Sequence, residues 1–433
     1  MSSTDLPSAR KGLPAPLLAL GLVVLWLVVL NVVGLNTWGH GPLTFFMLLA
    51  LVALMGLARW LGPQYAAGGP RAISITVAVL AAAAATYFLV SQLYMVRNPE
   101  TTDPKSDIAL NTWTAGTYAF DYHLNPYTSR AQTGHDVSRA PNVDSSGPQL
   151  TMFGVPYYYG YPYFPAMFLS YEPFRRMDQS PSSVRTGNAV YYGLVLVAIG
   201  WLTALLAPRG TRLPAALLSV AGFACVVVMG KELFDNGVTD IVIPLFAILG
   251  FIASYYGRHS LSGVLLGWTL AAKLVPGGLF LLIVSLWYLR RPERWKFLIP
   301  MAVTVLAVLL PYVLKDPGAF LSATVLFYMT EHARGDSTAL WYTLPPALQP
   351  IFQILGYALI VGMIVWAFRR RSLGLLGVLA LCFGTGIVFV AFNRMSHLNY
   401  DWAVVPLGCV TLVVYAMGGN PPVVAETSHP ERA

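Results

Sequence analysis

Charge is missing from long stretches of this sequence, and each stretch has the length of a bilayer crossing. A helix needs on the order of 20 mostly apolar residues to cross about 30 Å of hydrocarbon, where every backbone group must be bonded internally. Residues 12 to 58 lie uncharged between Lys11 and Arg59, and the polar turn Asn36 to Pro42 divides them into two spans. Single spans fit between Arg71 and Arg97, Arg185 and Arg209, Arg212 and Lys231, Asp240 and Arg258, and Lys296 and Lys315. Three more fit between Asp336 and Arg369, Arg371 and Arg394, and Asp401 and Glu426. Only 11% of residues are charged and 56% are hydrophobic, against roughly 25% charged in a soluble domain. That balance excludes a water-soluble enzyme, because there is too little polar surface to coat a globule of this size.

Two stretches depart from the simple pattern. From His259 to Arg290, Lys273 and the break Pro276-Gly277-Gly278 divide the apolar residues into pieces short for full crossings, so two short helices are expected, a re-entrant pair being one arrangement and two crossings the other. Residues 145 to 171 are uncharged but crowded with Pro, Gly and Tyr. They read as a loop followed by an interfacial helix, since prolines break helices and tyrosines gather at headgroup depth.

Alternating spans place Arg10, Lys11, Arg59, Arg71, Arg209, Arg212, Arg258, the cluster Arg290 to Lys296 and Arg369 to Arg371 on one side. By the positive-inside rule that side is the cytoplasm, with both termini. The net charge of +8 therefore describes topology, and a nucleic-acid partner is not expected. Cys225, Cys382 and Cys409 all fall in apolar spans, so no disulfide framework is expected. The expected fold is an all-α, polytopic bundle of about 11 to 12 spans with a large first external loop. Four regions follow: 1–96 with three spans, 97–186 as the external loop, 187–417 as the main bundle, and 418–433 as a cytoplasmic tail.

A transporter concentrates polar residues at mid-membrane, whereas here they concentrate in external loops, above all from Arg97 to Arg185. That loop carries Asp103, Asp107, Asp121, Asp136 and Asp144, followed by an aromatic run from Tyr157 to Phe164. Carboxylates beside a tyrosine-rich boundary suit an enzyme that handles a polar headgroup on a lipid tail; the plainer reading of any one of them is a solvated loop acid. No Asp-x-Asp, P-loop, Gly-x-Gly-x-x-Gly, Gly-x-Ser-x-Gly or His-Glu-x-x-His occurs. Asp121-Tyr122-His123 could supply two metal ligands but lacks partners in the sequence, so neither a metal nor another cofactor is expected.

The order of several short pieces carries more information than any one of them. Asp107 is followed by Asn125-Pro126-Tyr127, Tyr163-Phe164-Pro165 and Glu172-Pro173. Then come Asn236-Gly237 with Asp240, Gly263 and Gly267 leading to Lys273 and Pro276, Gly335-Asp336-Ser337, and Ser396-His397. From about Arg97 onward this order resembles the polyprenol-phosphate-mannose-dependent alpha-mannosyltransferases, integral-membrane glycosyltransferases of GT-C type. Gly237-Val238 stands where that family often has Gly-Gln, Phe164-Pro165-Ala166 where it has paired Tyr-Pro-Pro, and two extra N-terminal spans precede the usual first one.

The resemblance implies an inverting enzyme of the plasma membrane that works on the outer face. It would move a sugar, mannose or a pentofuranose such as arabinose, from a polyprenyl-phosphate donor to a cell-envelope glycolipid or glycan. Such a displacement needs a carboxylate to take the acceptor's proton, and in the family the acid of the first external loop does so; here that is Asp107. A helix cap or an ion pair with Lys105 or Arg97 is the alternative for this residue. The departing lipid phosphate needs positive charge and hydrogen-bond donors, for which Lys273, Arg334, Arg394 and His397 are the candidates. Lys273 is the most telling, since a lysine set among Leu270, Ala271, Ala272, Leu274 and Val275 must snorkel or meet an anion. Arg394 could equally anchor a headgroup, Arg334 could be solvated, and His397 could be an interfacial histidine. Tyr127, Tyr163, Asn236 and Asp240 are the candidate substrate-binding residues. The rival reading is a non-enzymatic flippase or transporter of lipid-linked glycans, which would call for a polar path and similar halves.

Overall fold

The structure, a computed structural model, describes residues 51–61, 107–127, 151–152, 155–156, 161–180, 182–229, 239–326, 344–369, 373–393 and 398–418. These residues are almost all helical. In chain order the helices are α1 (Leu51–Leu61), α2 (Asp107–Phe120), α3 (Pro165–Met177), α4 (Ser182–Leu206), α5 (Arg212–Met229), α6 (Val242–Tyr255), α7 (His259–Ala272) and α8 (Gly277–Tyr288). There follow α9 (Arg294–Lys315), α10 (Pro317–Leu321) with a π turn at Ser322–Leu326, α11 (Gln349–Arg369), α12 (Leu375–Phe392) and α13 (Leu398–Ala416). Among the described residues turns and coil join them, and the strands are a two-residue antiparallel pairing of β1 (Thr151–Met152) with β2 (Val155–Pro156).

Among the described residues four helices, α4, α9, α11 and α12, are long and apolar enough to cross a membrane. Their apolar parts coincide with four of the uncharged runs and α5 and α6 with two others, while α13 starts at Leu398, ahead of Asp401, and continues into the last run. Of the runs from 12 to 58 and from 71 to 97, only the stretch that begins α1 falls among the described residues; α1 continues past Arg59 to Leu61. Helix α9 turns Trp295, Ile299, Val303, Leu306, Leu310 and Leu314 outward. An apolar face that long is stable against lipid and unstable against water.

The stretch from His259 to Arg290 is two short helices, as its breakers require. At 14 and 12 residues and 1.5 Å per residue, α7 and α8 are each about 20 Å long, short of a full crossing. Pro276 forces the preceding backbone out of the helical region, and Lys273 closes α7 in an extended conformation, φ −156° and ψ 133°.

Glycines set how closely α7 packs. A Cβ on Gly263 would lie 2.3 Å from the Phe297 carbonyl oxygen, and one on Gly267 would lie 2.9 Å from that of Met301. The Gly263-x-x-x-Gly267 spacing therefore lets α7 meet α9 at backbone distance, as small residues do between membrane helices. Helix α3, with Pro165 at its first turn, lies among α2, α4, α7 and α9. It buries Met167, Phe168 and Tyr171. The region read from sequence as a loop and a helix thus supplies a helix enclosed by its neighbours.

Candidate functional site

The break after α7 turns Lys273 into the protein. Its side chain is 4% exposed, and Nζ donates to Asp240 Oδ1 at 2.6 Å; Asp240, in the turn that starts α6, is 0% exposed. The ammonium also lies 4.2 Å from the ring centre of Tyr400, on α13, and 4.9 Å from that of Tyr163, just before α3. Such ring faces attract a cation through their quadrupole. Three residues from separate parts of the chain thus converge on one nitrogen.

Backbone and phenol contacts hold this arrangement. The Phe164 amide donates to the Ala272 carbonyl at 3.1 Å, tying Tyr163 to the α7 break. The Tyr127 hydroxyl donates to the Tyr163 carbonyl at 2.9 Å. Tyr161 stacks edge-on with Tyr163 and shares a 3.2 Å hydrogen bond with Thr112 of α2. The Tyr171 hydroxyl donates to Asn188 Oδ1, with the carbonyl of Thr239 at 3.2 Å. Burial pushes the Tyr127 and Tyr161 phenols well up, the Thr112 bond opposing this at Tyr161, so both remain protonated donors. The Thr239 hydroxyl, next in sequence to Asp240, is fully buried and makes no hydrogen bond.

A second ionic cluster joins α2 to α3. Arg175 NH1 and NH2 lie 2.5 and 3.0 Å from the two carboxylate oxygens of Asp121, the bidentate geometry of a guanidinium on a carboxylate. Its Nε and NH2 also reach Glu172 at 2.7 and 2.9 Å, and Arg176 Nε donates to Glu172 at 2.8 Å. Gly116 makes room for this contact, because a Cβ there would lie 3.1 Å from Arg175 Cδ and Nε. Burial by itself lowers the Arg175 guanidinium, but the bonds to Glu172 and Asp121 outweigh it and hold it above its ordinary value. Asp121, the residue considered as a metal ligand with His123, is thus engaged by an arginine. Among the described residues no three His, Cys, Asp or Glu side chains lie together as a metal site.

The structure therefore joins two residues that the sequence placed in different roles: Asp240, read as substrate-binding, and Lys273, read as phosphate-binding, bond each other. Tyr163 stands over the same ammonium, and Tyr127 supports it from behind. Asp107 is the first residue of α2, one turn before buried Asn111; its side chain lies outside what is described, as do Asn236, Arg334, Arg394 and His397. Sequence reading missed Tyr400, Asn188 and Arg175. The spacing Glu172-x-x-Arg175-Arg176 on one helix was available as an ion-pair signal, whereas nothing local marks Tyr400 as a neighbour of Lys273. Comparison of the chain with models of known families, with characterised proteins and with solved structures found no match.

Proposed function

We propose that the protein is an inverting glycosyltransferase of the plasma membrane. It takes a sugar, most simply mannose, from a polyprenyl-phosphate donor and transfers it to a cell-envelope glycolipid or glycan on the outer face, with both termini in the cytoplasm. The observation that carries the reading is the buried ammonium of Lys273 within its tyrosine walls, at the break between two helices too short to cross the membrane alone. Charged groups at such depth are rare and functional where they occur, and this one suits the phosphate that departs as the sugar leaves. Helix α2 supports the same reading from the other side. It begins at Asp107 and, five residues on, bonds Tyr161 through Thr112, so the helix of the candidate base is tied to the tyrosines around Lys273.

In this mechanism Asp107 accepts the proton of the acceptor hydroxyl as its oxygen attacks the anomeric carbon from the face opposite the phosphate. The bond between that carbon and the phosphate oxygen breaks, and its electron pair leaves with the lipid phosphate. Lys273 stabilises the negative charge left there. No acid is needed for a leaving group that is already a good one.

The test uses membranes containing the full chain, a radiolabelled polyprenyl-phosphate mannose or arabinose, and extracted envelope glycolipids. Transfer is expected with one of the two donors and an inverted product. Asp107→Asn should lower the rate by about 100-fold or more at unchanged protein level, the usual worth of a general base. Transfer that survives Asp107→Asn removes Asp107 as the base. Movement of the lipid-linked sugar across vesicles with no product replaces the enzyme by a transporter.

A further inference from the structure

A buried ion pair is a poor device for stability, because desolvating both charges offsets most of their attraction and an apolar pair of similar volume often serves as well. The Asp240–Lys273 pair, at 0% and 4% exposure, therefore calls for another explanation. Its surroundings point to one. An ammonium has three protons to donate; one goes to Asp240, and the faces of Tyr163 and Tyr400 attract the charge without offering a second anionic acceptor. Next to Asp240 in sequence is Thr239, whose hydroxyl is buried with no hydrogen-bond partner, which is costly unless something other than this chain supplies one. The backbone here is the junction of two short helices, the kind of discontinuity at which membrane proteins hold charged ligands.

We infer that Asp240 is a resident counter-ion, occupying on Lys273 the place that the phosphate group of a ligand takes when it binds. This rests on the glycosyl-transfer reading for the source of the phosphate, a polyprenyl lipid, and not for the exchange itself. Asp240 is then a positioning residue: it holds the ammonium between the two rings while the site is empty, and it yields to the incoming anion. The charge on Lys273 is never left unpaired, and the lipid phosphate departs more readily because a carboxylate waits to replace it. No covalent bond is made or broken in the exchange.

Removing the competitor should tighten binding, which a merely structural role would not do. The experiment uses the full chain in nanodiscs of neutral lipid, as wild type, Asp240→Asn, Lys273→Met and the double variant. The probes are a long-chain polyprenyl phosphate without sugar, inorganic phosphate, and phosphatidylglycerol. Asp240→Asn is expected to melt below wild type, to recover most of that loss with polyprenyl phosphate, and to bind it on the order of tenfold more tightly than wild type does. Lys273→Met and the double variant should show no response. Recovery with inorganic phosphate as well retains the exchange and assigns it to the phosphate group without the tail, and recovery with phosphatidylglycerol assigns it to a phosphodiester headgroup.

If Asp240→Asn does not fold, the double variant decides: recovery of folded protein shows that an unpaired ammonium was the cause, and failure to recover overturns the inference. It is also overturned if Asp240→Asn binds polyprenyl phosphate no more tightly than wild type. If that happens while sugar transfer proceeds and depends on Asp107, the counter-ion idea falls and the enzyme reading stands. If phosphate binding tightens as expected but no donor sugar is ever transferred, the reverse holds.

Discussion

Among the described residues, two ionic clusters are built on opposite plans. Asp121, Glu172, Arg175 and Arg176 form a network in which the central guanidinium bonds two carboxylates, and three of its four members lie on one helix within four residues of each other. It opens toward its edge, with the side chains of Asp121 and Arg176 at 49% and 68% exposure. Asp240 and Lys273 form a single bond between residues 33 apart in sequence, with neither reaching the surface. The first cluster can relax into water if one member is lost. The second cannot, and that difference separates a fastener between α2 and α3 from a charge held ready for a ligand.

The largest effect should come from Asp240→Asn. It leaves a buried ammonium without its anion, and unfolding in detergent should show a loss of about 3–5 kcal/mol, the range for breaking one side of a buried pair. Adding Lys273→Met should return much of it, and a double variant as unstable as the single one would erase the contrast between the clusters. Arg175→Met comes next. It removes the centre of the network, but Glu172 keeps Arg176 and Asp121 turns to solvent, so about 1–3 kcal/mol is expected by the same measurement. A loss as large as that of Asp240→Asn would show the network to be as dry as the pair. Gly116→Ala adds a Cβ against an arginine held by several hydrogen bonds, and should cost about 1 kcal/mol; no change would mean that Arg175 can shift freely. Arg176→Ala should cost roughly 0–1 kcal/mol, less at high salt, since its partner lies at the screened edge.

How much was legible beforehand follows the same division. The divided stretch from His259 to Arg290 could be read because Lys273, Pro276, Gly277 and Gly278 are neighbours, and neighbours suffice to end a helix. The positions of α4, α9, α11 and α12 were legible for the same reason, since a run between two charges is a local property. That Lys273 needs a partner was also legible from the apolar residues around it. Which partner was not: Asp240 was assigned to the substrate, and Tyr400 drew no notice, because both reach the ammonium only through the packing of α6 and α13 around the α7 break. Arg175 carries a local signal, Glu172 three residues before it on the same helix, but its bond to Asp121 spans 54 residues and is set by packing alone.

Chemistry that depends on adjacent residues was thus written in the chain: apolar runs of crossing length, a lysine stranded among them, glycines four apart that allow α7 to touch α9. The tertiary structure alone decided which distant groups share a space, and so whether a buried cation faces lipid, water or a carboxylate. The physical reason is range. Helix formation and membrane partition are summed over residues along the chain, whereas an ion pair in a medium of low polarity is set by the last few ångströms between atoms that only packing brings together.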